Sequence, residues 1–324
     1  MNIDADHPLY VLPFDHRSSF RKGLLGITGS PTAAQRRRIG DLKMLIWEAF
    51  NHAVADSELS DYCGVLVDEE FGTDVAHAAK SDGVTLAMPV EKSGQDEFEL
   101  AYGDRFAEHI ETFDPDFVKV LVRYNPEGDS SINRRQGIRL ARLSNWLQAH
   151  DRSLLFELLV PPTPAQIAEF DGDQRAYERN ALPDLIVATM AELQDTGVEP
   201  DIWKIQGIDK RAGNQRAAAQ ARIDGRDRVT CIVLGHGADA DQVRDWLRAA
   251  AGVAGYAGFA TGRTIWLDPL TDHVAGRADR ESTRNRIAEN YLDMINTYRA
   301  AAAASPSPAT GGQTDHGGAI TDLE

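Results

Sequence analysis

Three ionisable side chains sit inside runs that are otherwise apolar: Lys119 in FVKVLVR (117–123), Glu157 in LLFELLV (154–160) and Lys204 in DIWKIQ (201–206). Removing an ammonium or a carboxylate from water is costly unless the group is paired or loses its charge. Taken singly, a charge embedded in a strand is more often one half of a structural ion pair than a catalyst. Taken together, the three would bring two ammonium groups and one carboxylate into one small volume. Close like charge and desolvation both push a lysine pKa down and free an amine at neutral pH. A neutral buried amine beside a carboxylic acid–base is the apparatus for Schiff-base chemistry on a ketone. The imine then serves as an electron sink for C–C cleavage, with no metal or other cofactor required. Lysine is scarce in this chain, seven residues against 27 arginines, so its placement in strands carries weight. A coding bias against lysine explains the scarcity but not the placement.

Other candidates cluster at the ends of apolar runs. PFDHR brings Asp15, His16 and Arg17, and VDEEFG brings Asp68, Glu69 and Glu70. Lys92 lies in EKSG, and Arg123 stands two alternations beyond Lys119. LGHGADADQ carries Gly235, His236 and Gly237, and ATGRTIW carries Gly262 and Arg263. Each has a plain reading as well: DEE after a strand can cap the next helix, Lys92 can be solvated, and a lone histidine is usually just hydrogen-bonded. The last two segments read as a phosphate grip. Glycines permit close backbone approach, a helix N-terminus offers N–H groups, and arginine offers a fork.

These residues need a scaffold that gathers strand ends. Eight short apolar runs recur: 9–14, 63–67, 84–90, 117–123, 154–160, 201–206, 229–235 and 255–261. Continuous rather than alternating apolar strands indicate a parallel sheet covered on both faces. Amphipathic helices are expected over 32–54, 132–150, 182–197, 238–253 and 280–303. In the first, Ile39, Leu42, Leu45, Ile46 and Phe50 share a face. Strands alternating with helices at this length point to an α/β fold, a single-domain TIM (β/α)8 barrel over 1–303. The rival, a doubly wound open sheet, would want a glycine-rich fingerprint after its first strand, and FDHRSSFRKG is not one. In a barrel, chemistry gathers at the C-terminal strand ends, with phosphate at the loops after strands seven and eight. Residues 304–324, small and polar, read as a disordered tail.

The net charge of −16 argues against nucleic acid or an anionic membrane as partner, since both need a basic face. It leaves room for a small anionic substrate in a local basic pocket. No apolar run approaches the roughly 18 residues of a membrane span. With no signal peptide apparent, Cys63 and Cys231 are expected to be reduced, buried thiols in a cytoplasmic protein. Spacing for a zinc site is lacking. Barrels of this kind often pair, so a homo-oligomer is compatible with the sequence.

The segments LPFDHRSSF, VDEEFG, FVKVLVRYNPE, LLFELLVPP, PDIWKIQG, VLGHGADADQVRDWL and GFATGRTIW, followed by TIWLDPLTDHVAGRADRE, resemble the class I aldolase-like domain found at the C-terminus of some 5-dehydro-2-deoxygluconokinases of inositol catabolism. Tagatose 1,6-bisphosphate and sulfofructose phosphate aldolases are more distantly similar. The resemblance runs from about residue 9 to 300. It implies a (β/α)8 class I aldolase cleaving a ketose phosphate to dihydroxyacetone phosphate and an aldehyde. By position it implies Lys204 as the Schiff-base lysine, Glu157 as acid–base, Lys119 as neighbouring cation, Asp15 as first-strand acid and Arg263 as the phosphate grip. No kinase half accompanies the segment, so a stand-alone aldolase-like protein is expected. Its foremost candidate substrate is 2-deoxy-5-keto-gluconate 6-phosphate, and another ketose phosphate of the same class comes close behind. Two other readings stand beside it. One is a metal-dependent aldolase or isomerase using His16, Asp68, Glu69, Glu70 and His236. The other is a catalytically silent barrel that binds a sugar phosphate.

Overall fold

The structure, a computed structural model, describes residues 3–4, 7–55 and 58–305. Eight strands form: β1 Leu9–Pro13, β2 Cys63–Leu66, β3 Thr85–Pro89, β4 Phe117–Arg123, β5 Ser153–Leu159, β6 Ile202–Gln206, β7 Thr230–Leu234 and β8 Tyr256–Ala260. Each pairs in parallel with the next, and β8 closes on β1, so the sheet is a barrel without edges. This is the fold expected from the continuous apolar runs, which are apolar because one face meets the barrel interior and the other meets helices. Leu9, Val11, Leu66, Ala87, Phe117, Leu155, Ile202, Ile232 and Ala257 fill the interior as a separate cluster. At the closing seam Gly258 adopts φ +125°, and a Cβ there would overlap the Leu9 carbonyl, so only glycine lets β8 approach β1.

The outer layer, among the described residues, consists of α1 Ala33–Val54, α2 Glu69–Ser81, α3 Phe106–Phe113, α4 Ser130–Ala149, α5 Pro164–Ala168, α6 Gln174–Asn180, α7 Leu182–Asp195, α8 Arg211–Ala221, α9 Ala240–Ala250, α10 Arg263–Val274 and α11 Arg280–Ala303. The five helices expected from periodicity correspond to α1, α4, α7, α9 and α11. The others were not legible because they are short or lack a clean apolar stripe: alanine is the one apolar residue type besides glycine in α8, and α10 carries Pro269. Cap chemistry sets several starts. Thr32 and Gln35 form a capping box before α1, and the Asp68, Asp129, Asp239 and Asp279 side chains accept first-turn N–H groups. The DEE segment is therefore a cap, as its plain reading held. Cys63 and Cys231 are free and buried, and burial pushes their thiols up to about 11 and about 12. No helix among the described residues is long and apolar enough to cross a membrane. The tail expected from 304 onward lies, from residue 306, outside the described residues.

Candidate active site

A cavity of about 350 Å³ opens at the C-terminal ends of the strands. That volume suits a small organic ligand. Its lining includes Asp15, His16, Arg17, Lys92, Lys119, Arg123, Glu157, Lys204, Gly235, His236, Gly237, Gly262 and Arg263. Every candidate named from the sequence is in this set except Asp68, Glu69 and, of the residues expected to bind substrate, Glu70. That residue lies in the first turn of α2, 42 % exposed, with its carboxylate 3.3 Å from Arg36. The pairing belongs to the outer surface of α1 and α2, so Glu70 is not a binding residue of this cavity.

The floor is built by strand register. Glu157 of β5 stands directly beside Lys204 of β6, with Oε2 3.0 Å from Nζ. The same oxygen is 3.1 Å from Lys119 Nζ of β4. Lys119 in turn reaches Asp15 Oδ2 at 3.0 Å and Glu91 Oε1 at 3.0 Å. Lys119 and Lys204 are 1 % and 2 % exposed. The three strand charges do converge, but the expected excess of cations does not arise. Three carboxyl groups meet two lysine side chains, and Lys119 touches all three.

That arrangement reverses the expectation for one lysine. Burial works against the Lys119 ammonium, but Asp15, Glu157 and Glu91 outweigh it and raise the pKa. Lys119 is a fixed cation. Burial also opposes ionisation of Asp15 and Glu157, yet in both Lys119 leads the cations that hold the carboxyl below its usual range. Glu91 goes the other way: burial dominates and raises it, although Lys119 and Arg17 pull downward. Its Oε2 is buried without a hydrogen-bond partner. Among the described residues Lys204 pairs with one carboxylate, Glu157, which it shares with Lys119.

Around this floor the remaining candidates fall into two sets. Arg17 donates to the Glu91 carbonyl at 2.9 Å and lies 3.3 Å from its carboxylate. Arg123 donates to the Gln95 carbonyl at 2.9 Å, and Lys92 pairs with Glu99 at the mouth. On the opposite side Arg263 begins α10 and, among the described residues, shows no hydrogen bond or ion pair. The Gly262 cap position supplies no side-chain cap, so the first turn of α10 keeps its N–H groups free of one. Gly237, at φ +77°, lies so close that a Cβ there would stand 2.6 Å from Arg263 Nη2. An arginine with no partner among the described residues, a helix N-terminus without a side-chain cap and a glycine turn have the chemistry that suits an anion. His236 enters that turn at φ +46°, and burial lowers its pKa. His16 packs edge-on against Trp266, with ring centroids 5.3 Å apart. Burial above all, then Arg263 and Lys204 against the opposing Asp15, lowers His16 to about 4, so it is neutral at neutral pH.

Two participants escaped the sequence reading. Glu91 follows β3 at the position that continues the alternation from Ala87 and Pro89, a signal hidden because it opens the loop segment EKSG. Lys43 lies on the apolar stripe of α1 between Ile39 and Ile46 and pairs, fully buried, with Asp68. The set proposed for a metal is not brought together. Asp68 is taken by Lys43, Glu69 bonds His109 at 3.2 Å, and Glu70 faces Arg36. Among the described residues no group of three or more His, Cys, Asp or Glu could hold a metal ion.

Comparison with known proteins gives a consistent picture. The chain is 24 % identical over 327 residues to tagatose 1,6-diphosphate aldolase 1 of Streptococcus mutans serotype c, across 93 % of this chain and 94 % of that protein. Among solved structures it is similar to a Schiff-base-forming fructose-1,6-bisphosphate aldolase (TM-score 0.54, 14 % identity, 90 % of this chain and 94 % of that one). It is also similar to an archaeal fructose 1,6-bisphosphate aldolase (TM-score 0.56, 14 % identity, 91 % and 94 %). At that identity the structural likeness speaks for the fold. A family model, described as uncharacterized protein conserved in bacteria (DUF2090), matches residues 3–302, and the chain belongs to that family.

Proposed function

We propose that the chain is a class I aldolase, cleaving a phosphorylated keto-sugar or keto-sugar acid through a Schiff base on Lys204. The observation that carries this reading is the buried Lys204 amine facing the cavity 3.0 Å from Glu157, beside a Lys119 cation locked by three carboxylates. Of the two lysines, Lys119 is the unfit nucleophile, because three anions hold its proton. Lys204 Nζ attacks the substrate ketone, and the resulting carbinolamine loses its hydroxyl as water to give the iminium. A base removes the proton from the β-hydroxyl, the bond between the α and β carbons breaks, and its electron pair flows into the iminium to form an enamine. The aldehyde leaves, the enamine carbon takes a proton, and water hydrolyses the imine. Glu157 is the group placed to move these protons, and Lys119 stabilises its carboxylate form between transfers.

Arg263, with Gly235, His236, Gly237 and Gly262, is proposed to hold the phosphate. Arg17, Lys92 and Arg123 are proposed to face a second anionic group at the other end. The foremost candidate substrate is 2-deoxy-5-keto-gluconate 6-phosphate, giving dihydroxyacetone phosphate and malonate semialdehyde. A tagatose 1,6-bisphosphate or sulfofructose phosphate type substrate is the alternative, and the name of the streptococcal relative favours the former of these two. The test is borohydride reduction with dihydroxyacetone phosphate present, followed by peptide mapping. An adduct on Lys204 that vanishes in Lys204→Met is the expected result. Intact phosphate binding with no adduct on any lysine would leave only a silent sugar-phosphate binder.

A further inference from the structure

Behind the cavity lies a buried ion pair that the proposed chemistry does not use. Lys43 of α1 and Asp68 after β2 are each 0 % exposed, and neither lines the cavity. All three N–H donors of the Lys43 ammonium are engaged: by the Asp68 carboxylate, by the Phe14 carbonyl at 2.6 Å and by the His16 carbonyl at 3.2 Å. The other Asp68 oxygen accepts from the Phe71 N–H at 2.9 Å and caps α2. Phe14 and His16 are the neighbours of Asp15 on either side. The ammonium therefore grips the two peptide carbonyls that bracket the acid which β1 contributes to the floor.

As a stabiliser alone such a pair is a poor choice, since apolar residues of similar volume often serve a core equally well. What apolar residues cannot do is hold two carbonyls at a fixed point. Asp15 must keep its carboxylate 3.0 Å from Lys119, and His16 must keep its neutral ring against Trp266 in the same cavity. A displacement of about 1 Å in a reacting group can cost about 100-fold in rate. We infer that Lys43, clamped by Asp68, is a positioning residue whose grip on the Phe14 and His16 carbonyls sets the Asp15 carboxylate against Lys119. The inference rests on the aldolase reading only where its test is read as a rate.

The experiment uses the full chain and compares wild type, Lys43→Met/Asp68→Asn, Asp15→Asn and the triple variant. The Asn at 68 keeps the α2 cap and leaves no uncompensated charge. Three quantities are read: the rate of borohydride-trapped adduct formation at saturating dihydroxyacetone phosphate, its half-saturating concentration, and the thermal unfolding midpoint. The expected result is a folded double variant whose trapping rate falls at least about tenfold while half-saturation moves less than about threefold. In the Asp15→Asn background the same double change should cost little more, because its effect passes through Asp15. A double variant within twofold of wild type, or losses that multiply in the triple variant, would overturn the inference. Where the double variant does not fold, Asp68→Asn alone serves: it removes the carboxylate that clamps Lys43 and should slow trapping at least about tenfold while half-saturation moves less than about threefold, and a rate within twofold of wild type counts against the clamp. If wild type forms no adduct, the aldolase reading fails by itself. The clamp is then judged from a crystal structure of the double variant, where Asp15 displaced from Lys119 supports it and an unchanged 3.0 Å contact refutes it.

Discussion

Replacing Lys119 with methionine tests whether the floor is an anion cluster held by one cation. After the change Glu157 keeps Lys204 and Glu91 keeps Arg17, at 3.0 and 3.3 Å, while Asp15 loses its one close cation among the described residues, its next neighbour being His16 at 3.9 Å. One buried carboxylate is left uncompensated, a loss of about 3–5 kcal/mol where a partner of a buried pair is removed. The pH dependence carries the sharper signature. In wild type the folded-state carboxyls of Asp15 and Glu157 lie below their unfolded values, so their stabilisation is present above about pH 4 and is lost as pH falls through the folded values. Without Lys119 burial prevails at Asp15, and its folded-state carboxyl rises above the unfolded value. The variant then gains stability as pH falls from neutrality toward about 4, by at most about 1.4 kcal/mol per pH unit for one proton. Glu91, already raised in wild type, moves further the same way. Urea unfolding of both proteins from pH 8 to pH 5 should therefore show a deficit of about 3–5 kcal/mol that narrows as the solution becomes more acidic. A deficit below about 1 kcal/mol, or one that stays constant across that range, would refute the reasoning.

Arg263→Met should raise the inorganic phosphate needed for half-saturation about 10- to 150-fold, the equivalent of about 1.5–3 kcal/mol for hydrogen bonds to a charged group, as read by calorimetric titration. Gly237→Ala forces a side chain into φ +77° against Arg263 and should cost about 1–2 kcal/mol of stability while weakening phosphate binding in the same titration. Glu70→Gln removes only an exposed pairing with Arg36, so adduct formation should be unchanged and stability should shift by less than about 1 kcal/mol.

By itself the sequence determined the barrel and most of the floor. The apolar runs specify buried parallel strands, because a strand covered on both faces has no polar position to spare. For the same reason a charge inside such a run, as at Lys119, Glu157 and Lys204, stands out against it. Glycine and arginine near the ends of the last two strands were legible because the fold assigns those loops to anions. Tertiary structure alone decided the balance of charge. Glu91 and Asp15, 28 and 104 residues away along the chain, reach Lys119 from the segments just after β3 and β1, and no local pattern announces such distant pairings. It also decided that Glu70 turns outward while Asp68 turns inward to Lys43, since neighbouring residues at a helix start diverge in direction although their chemistry is the same. Whether a buried lysine sheds or keeps its proton depends on how many anions converge on it, and only closure of the barrel sets that number.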